Sequence, residues 1–329
     1  MGKVVTIGEP MAMFVAKTPG ELKDVASFDR FIAGAEVNVS VGVSRLGHQI
    51  QYITQLGRDP FGEHIADFLK AEAIDTSLIT FNPNYPTGFQ LKNKDSKRDP
   101  EVVYFRKGSA AYHLNDEIIT AIDFTDVDIF HVTGILMALN DTTFELVKKL
   151  VLKAKAQKTL ITFDPNLRPT LWASEELMKQ RIHEIASHSD YFLPGLSEAN
   201  LLTGLTDVEE IADYYLALGN QGVIIKEGPE GAYAKWRTSN GLQSLKKAGF
   251  RLAEVVDTVG AGDGFAVGVV TGLLEQLSME ATLERANAIG AIQVSHISDN
   301  ENLPTPEELI AFIKKYQGEG EAYEITSGN

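Results

Sequence analysis

Between Asp257 and Phe265 the chain reads Asp-Thr-Val-Gly-Ala-Gly-Asp-Gly-Phe, a run rich in glycine that holds a carboxylate, Asp263, just past its Gly-Ala-Gly core. The preceding segment, Phe250 to Val256, ends on the β-branched pair Val255 and Val256 and predicts a strand. Beyond the run, Phe265, Val269, Leu273, Leu274 and Leu277 recur at helical spacing. A helix is therefore expected to begin on Gly262 or Asp263, directly after a Gly-rich turn. The backbone N–H groups of Gly260, Ala261 and Gly262 would converge at the positive end of that helix, where an anion is favoured. Glycine allows the sharp bend and the close approach. A carboxylate in such a place raises the cost of binding phosphate unless it has another task. The fitting task for Asp263 is to take a proton from an attacking hydroxyl. The plainer alternative is a Gly-rich turn whose aspartate favours the helix start.

Two arginines suggest a second piece of chemistry. Arg106 lies in Tyr104-Phe105-Arg106-Lys107-Gly108-Ser109-Ala110-Ala111, at the end of an expected strand. Arg168 lies in Asp164-Pro165-Asn166-Leu167-Arg168-Pro169-Thr170-Leu171-Trp172, just past another. Two guanidinium groups at the mouth of one site point to a carboxylate ligand, which Arg meets bidentately. A neutral hexose would not need them. Either arginine alone could be a structural or surface ion pair. No Gly-x-x-x-x-Gly-Lys-Ser/Thr string occurs, which excludes a P-loop kinase. The histidines show no metal-binding spacing; His183 and His188, five apart, do not share a helix face.

The elements that must position these residues alternate along the chain. Strands are expected at Val4–Ile7, Gln49–Thr54, Asp128–Val132, Thr159–Phe163, Tyr191–Leu193, Val223–Lys226 and Ala232–Trp236. Helices are expected at Glu36–Leu46, Phe61–Ala71, around Phe144–Ala154, and at Val208–Leu218, Phe265–Leu277, Ala281–His296 and Pro306–Tyr316. Repeated βα alternation implies a parallel sheet with helices on both faces, and ligands on such sheets bind beyond the carboxyl ends of the strands. Residues 11–32 and 87–106 break the alternation with period-2 patterns, as in Phe89-Gln90-Leu91-Lys92 and Val102-Val103-Tyr104-Phe105. They predict a small β-sheet protruding from the α/β core, with a polar turn from Asn93 to Pro100. One domain is expected over residues 1–316, followed by a polar, Gly-rich tail over 317–329.

Composition limits the functions available. The 329 residues are 44% hydrophobic and 23% charged, as in a globular domain with a large core. No apolar run approaches a membrane span, and the first residues enter a strand pattern with no secretory h-region. The absence of cysteine removes disulfides and thiolate metal sites. The cytoplasm is the expected compartment. A formal charge of −15 argues against nucleic acid. It also requires a site for phosphorylated ligands to gather local cations and helix N-termini against the global field.

The Asp257–Phe265 string resembles the C-terminal signature of the PfkB, or ribokinase-like, sugar kinases, usually written DTxGAGDxF. The resemblance covers essentially the whole chain and implies a ribokinase-like fold, ATP and Mg²⁺. It gives Asp263 the part of catalytic base and Gly260, Ala261 and Gly262 that of anion hole for the transferred phosphoryl group. Ala33-Gly34-Ala35-Glu36-Val37-Asn38-Val39-Ser40 is similar to the family's N-terminal signature, with Ala33 in place of a glycine. There Gly34 would admit a sugar hydroxyl to the backbone and Asn38 would hydrogen-bond it. The two arginine strings resemble those of members acting on 2-keto-3-deoxygluconate, so Arg106 and Arg168 would hold the acid group and Tyr104 would line the pocket. Phe89 stands where many members carry tyrosine and lacks the hydroxyl through which the resemblance implies one substrate hydrogen bond.

Further positions follow the family pattern less closely. Leu193-Pro194-Gly195-Leu196-Ser197-Glu198 matches the place of its Asn-x-x-Glu motif, with Gly195 for the Asn. Glu198 would help to place Mg²⁺ through water, or simply favour a helix start. Ser197 and Asn166 would contact the nucleotide. So would the turn Lys226-Glu227-Gly228-Pro229-Glu230-Gly231, through Lys226, Gly228 and Gly231, although a plain hairpin turn accounts for it as well. Asn287 would touch the nucleotide or serve as a structural polar residue. The small sheet would cover the sugar and join two copies of the chain, or be no more than a decorative surface hairpin. The competing readings are fructokinase or ribokinase specificity and a non-catalytic sugar or nucleotide sensor.

Overall fold

The computed structural model describes residues 2–94, 101–252, 255, 258–295 and 300–326. Its strands are β1 (Lys3–Ile7), β2 (Met11–Ala16), β3 (Phe28–Ala33), β4 (Gln49–Gly57), β5 (Ile79–Asn82), β6 (Phe89–Lys92), β7 (Val102–Phe105), β8 (Ile129–Thr133), β9 (Leu160–Asp164), β10 (Tyr191–Phe192), β11 (Gly222–Lys226), β12 (Ala232–Thr238) and β13 (Gly241–Lys247). Along β1, Val5 and Ile7 pack into one core cluster and Val4 into another. Such two-sided burial is what a parallel sheet under helices requires. Phe130, Phe163 and Phe192, on β8, β9 and β10, are fully buried, each contributing roughly 1.5–3 kcal/mol by leaving water.

Nine strands form one sheet in the order β13-β12-β11-β10-β9-β8-β1-β4-β5. Pairing is parallel from β11 through β5, and β12 and β13 close one edge antiparallel. The second sheet, β3-β2-β6-β7, is the small sheet expected from the period-2 segments. It grows directly from the core, because only Gly8, Glu9 and Pro10 separate β1 from β2. An aromatic cluster seats it on the helix Pro60–Ala71: Phe61 lies 5.4 Å from Phe14 and 6.2 Å from Phe89, whose ring stacks on Phe105 at 4.5 Å.

The helices fall close to their expected places, with clear local causes at their starts. Asn140 forms a capping box at Asp141–Ala156, and Asp59 accepts from the N–H groups of Phe61 and Gly62. Ala261–Leu274 packs against Ala35–Arg45 and Met279–Val294. Gly268 permits the second contact, since a Cβ there would come within 2.3 Å of the Ala286 Cα. The final helix, Pro306–Thr326, runs on into the stretch read as a tail. No helix among the described residues is long and apolar enough to cross a membrane.

One expected strand is replaced. Phe250, Arg251, Leu252 and Val255 carry no strand, and residues 253, 254 and 256 lie outside the described residues. Val255 is 56% exposed, so no sheet buries its β-branched side chain. β13 takes the sheet edge instead; its mostly exposed, polar residues offered no apolar alternation to read. Asp257 and the turn residues 95–100 also fall outside the described set.

Candidate active site

Beyond the carboxyl ends of β1, β8, β9, β10 and β11 opens a cleft of about 360 Å³, closed on its far side by the small sheet. The helix Ala261–Leu274 points its N-terminus into it. Gly260 caps that helix with φ +81°, a left-handed conformation that glycine adopts without a Cβ penalty. Asp263 sits in the first turn. Its Oδ2 accepts from Asn38 Nδ2 at 2.7 Å and its Oδ1 from Asn166 Nδ2 at 3.1 Å. Burial pushes its carboxyl up to about 6, against the opposing pull of the Asn38 hydrogen bond and of Arg168 and Lys226.

Each partner is fixed by its own element. Asn38 projects from the helix Ala35–Arg45, whose start is capped by Gly34 with φ +146°. Asn166 follows β9 with φ +37°, and its N–H donates to Asp164 Oδ1 at 3.1 Å, an Asx-type turn that asparagine tolerates. Asp164 Oδ2 in turn holds Lys226 Nζ at 2.6 Å. Burial weakens the Lys226 ammonium, but the carboxylates of Asp164, Glu198 and Asp263 together outweigh it and keep the amine charged. That ammonium stands 3.5 Å from where a Cβ on Gly262 would lie, beside the amides of the helix start.

Glu198 caps the helix Leu196–Thr203: Oε2 accepts from Gly195 N at 2.7 Å and Oε1 from Leu167 N at 2.6 Å. Among the described residues no group of three His, Asp or Glu side chains could cage a metal ion. Arg168 is exposed, and its Nη1 donates to the carbonyls of Asn166 and Leu167 at 3.3 and 3.0 Å. Arg106 is buried at the end of β7, over the Tyr104 ring at 5.8 Å.

The cleft thus collects Gly34, Asn38, Tyr104, Arg106, Asn166, Arg168, Glu198, Lys226, Gly260, Gly262 and Asp263 from the positions singled out in the sequence. Phe89 is outside it. Strand alternation turns its ring to the Phe105 side, and Gln90 takes the cleft side. Ala261, Ser197, Gly228, Gly231 and Asn287 do not line the cleft either. Gly231 packs so tightly that a Cβ would come within 2.1 Å of Lys247 O, and Asn287 Nδ2 donates to Lys247 O and Ala248 O. Both therefore fasten the end of β13.

Three carboxylates in the cleft had no role in the sequence reading. Asp164, at the end of β9, holds the Lys226 ammonium. Glu36 accepts from the Thr133 hydroxyl, and burial raises its carboxyl to about 7, with Asp263 adding to the rise. Glu9 is 2% exposed and accepts from Arg106 Nε at 2.7 Å and from Ser109 Oγ at 2.5 Å. Its partners lie 97 and 100 residues away, so no local pattern could have paired them.

A carboxylate poised on an amide-rich helix start, beside a charged lysine and at the carboxyl edge of a parallel sheet, is the arrangement of an α/β phosphotransferase cleft. The chain belongs to the pfkB family of carbohydrate kinases, whose profile matches residues 1–306. It is 44% identical over 314 residues to a 2-dehydro-3-deoxygluconokinase of Bacillus subtilis (strain 168), covering 94% of each chain. Among solved structures, a PfkB protein from Polaromonas sp. JS666 superimposes with a TM-score of 0.84 at 39% identity, covering 94% of this chain and all (100%) of that one. An E. coli chain provisionally called ribokinase II, in complex with ATP and Mg²⁺, aligns with a TM-score of 0.84 at 26% identity, over 96% of this chain and 100% of its own.

Proposed function

We propose that the chain transfers the γ-phosphoryl group of MgATP to the 6-hydroxyl of 2-keto-3-deoxygluconate, residues 1–316 acting as one kinase unit. One observation carries the reading: the carboxylate that could take a proton and the two arginines that could take an acid group line the same cleft. The name of the Bacillus relative supports it. In the reaction the hydroxyl oxygen bonds to the γ-phosphorus, the bond to ADP breaks, and the proton passes to Asp263. The amides of Gly260–Gly262 and the Lys226 ammonium stabilise charge on the phosphoryl oxygens, since such transfer depends mainly on positioning and electrostatics.

The site fits a hydrated Mg²⁺ that arrives with ATP. Glu198 already accepts two backbone N–H groups and Asp164 a lysine, so they are suited to hold waters of the ion as outer acceptors, not to strip them. Arg168, Arg106 and Tyr104 face the acid end of the sugar, and Gly34 and Asn38 its hydroxyls. The nucleotide side runs from Asn166 and Ser197 past Lys226 and Gly228. Two copies of the chain join through the small sheet, with β7 as the meeting edge. The cytoplasm, where MgATP is maintained, is the compartment this reading assigns.

The test is ADP release against 2-keto-3-deoxygluconate, its galacto epimer, gluconate, fructose and ribose. Strong preference for the keto-deoxy acids is expected. Arg168→Ala should raise the Michaelis constant for the acid roughly tenfold or more, the value of a charge-assisted hydrogen bond, while leaving that for MgATP in place. Preference for fructose or ribose, indifferent to both arginines, would overturn the reading.

A further inference from the structure

Taking the substrate reading above as its basis, we infer that Glu9 is a positioning residue for acid recognition: it occupies the Nε–Nη2 edge of the Arg106 guanidinium so that Nη1 is presented to the substrate carboxylate. The geometry is one-sided. Arg106 Nε donates to Glu9 Oε2 at 2.7 Å, and Nη2 approaches the same oxygen at 2.5 Å without hydrogen-bond alignment. Nη2 is buried against that oxygen, while Nη1 donates to no acceptor among the described residues. Nη1 is therefore the unused corner of the guanidinium, and Arg106 lies in the cleft wall although it is only 7% exposed. An unpaired donor of a charged group is costly, and a carboxylate is the ligand that suits it.

Glu9 is itself rigid. Ser109 Oγ donates to its other oxygen at 2.5 Å, and the space beside that oxygen is closed by Gly88, where a Cβ would come within 2.8 Å. It stands in the short link between β1 and β2, whereas Arg106 ends β7, so the pair also ties the small sheet to the core. A neutral Glu9–Arg106 unit supplies direction and little net charge. Arg168, exposed and without a carboxylate partner among the described residues, supplies the attraction.

Two substitutions separate position from charge. Glu9→Asp keeps the charge but withdraws the oxygen by about one C–C bond, on the order of 1.5 Å; Glu9→Gln keeps an acceptor near its place but removes the charge. If Glu9 acts by position, Glu9→Asp raises the Michaelis constant for 2-keto-3-deoxygluconate about tenfold, the value of one hydrogen bond to a charged group. Glu9→Gln raises it less, and the Michaelis constant for MgATP stays put in both. A larger effect of Glu9→Gln, no effect of Glu9→Asp, or a joint rise in both Michaelis constants would overturn the inference while the wild type still phosphorylates the acid. A wild type that phosphorylates fructose or ribose and no keto-deoxy acid would instead remove the substrate reading, and the role of Glu9 with it.

Discussion

Asp263 has two amide donors on its oxygens and two cations nearby, yet burial still holds its carboxyl at about 6. Only the ionised form can take the sugar's proton, so kcat/KM should rise with pH through that value and then level. Asn38→Ala removes a bond that favours ionisation, and the acid limb should move to higher pH. Asp263→Asn should leave binding largely intact and cut turnover about 10²–10⁴-fold, the usual contribution of a general base; near-full turnover would remove Asp263 from that role. Glu36 gives a stability prediction. Its carboxyl rises from 4.5 to about 7 on folding, so the fold takes up a proton between those values. Stability from this group is then lost as pH rises towards 7 and stays lost above it. Glu36→Gln, which can still accept from Thr133, should raise the melting temperature well above pH 7 and change it little below 4.5. An equal shift at both ends would refute the proton linkage.

The small sheet and the helix starts divide the work between them. β7 ends at the cleft wall, yet Tyr104 and Phe105 on it are 45% and 48% exposed, more apolar surface than an unpaired edge strand usually presents to water. Phe105→Ser should therefore halve the mass seen by light scattering if β7 joins two copies; an unchanged mass would place the contact elsewhere. Most elements were legible because their apolar residues recur at the strand or helix period. β13 was not, since an antiparallel edge strand with exposed polar residues carries no such signal. Phe89 shows the limit inside a correctly expected strand. Alternation says that neighbours face opposite ways, but only the packing of Phe14, Phe61 and Phe105 decides that Gln90 is the one in the cleft.

At the scale of the whole molecule, a chain of charge −15 has to admit the two anionic ligands of the proposed reaction. Arg168, without a carboxylate partner among the described residues, and the helix amides would supply the attraction within a few ångströms, in a cleft where Lys226 and Arg106 are already paired with Asp164 and Glu9, while the global field acts from afar. Since the Debye length is about 10 Å at 0.1 M salt, kcat/KM should rise as salt is first added and the long-range repulsion is screened. A monotonic fall would mean that the cleft's cations steer encounter as well as binding. The charge balance was partly visible in advance: the arginines stood in readable strings, but Glu9, Glu36 and Asp164 acquire their roles only when distant segments meet. The three-residue link Gly8–Pro10 has a practical result. In the proposed reading, Tyr104 and Arg106 arrive on an insertion between β5 and β8 and Glu9 on one between β1 and the helix Ala35–Arg45, while the helix start that carries Asp263 lies in neither. A designer wishing to retool the enzyme for another sugar has two insertions to exchange at four junctions, none of which falls in the helix start that carries Asp263.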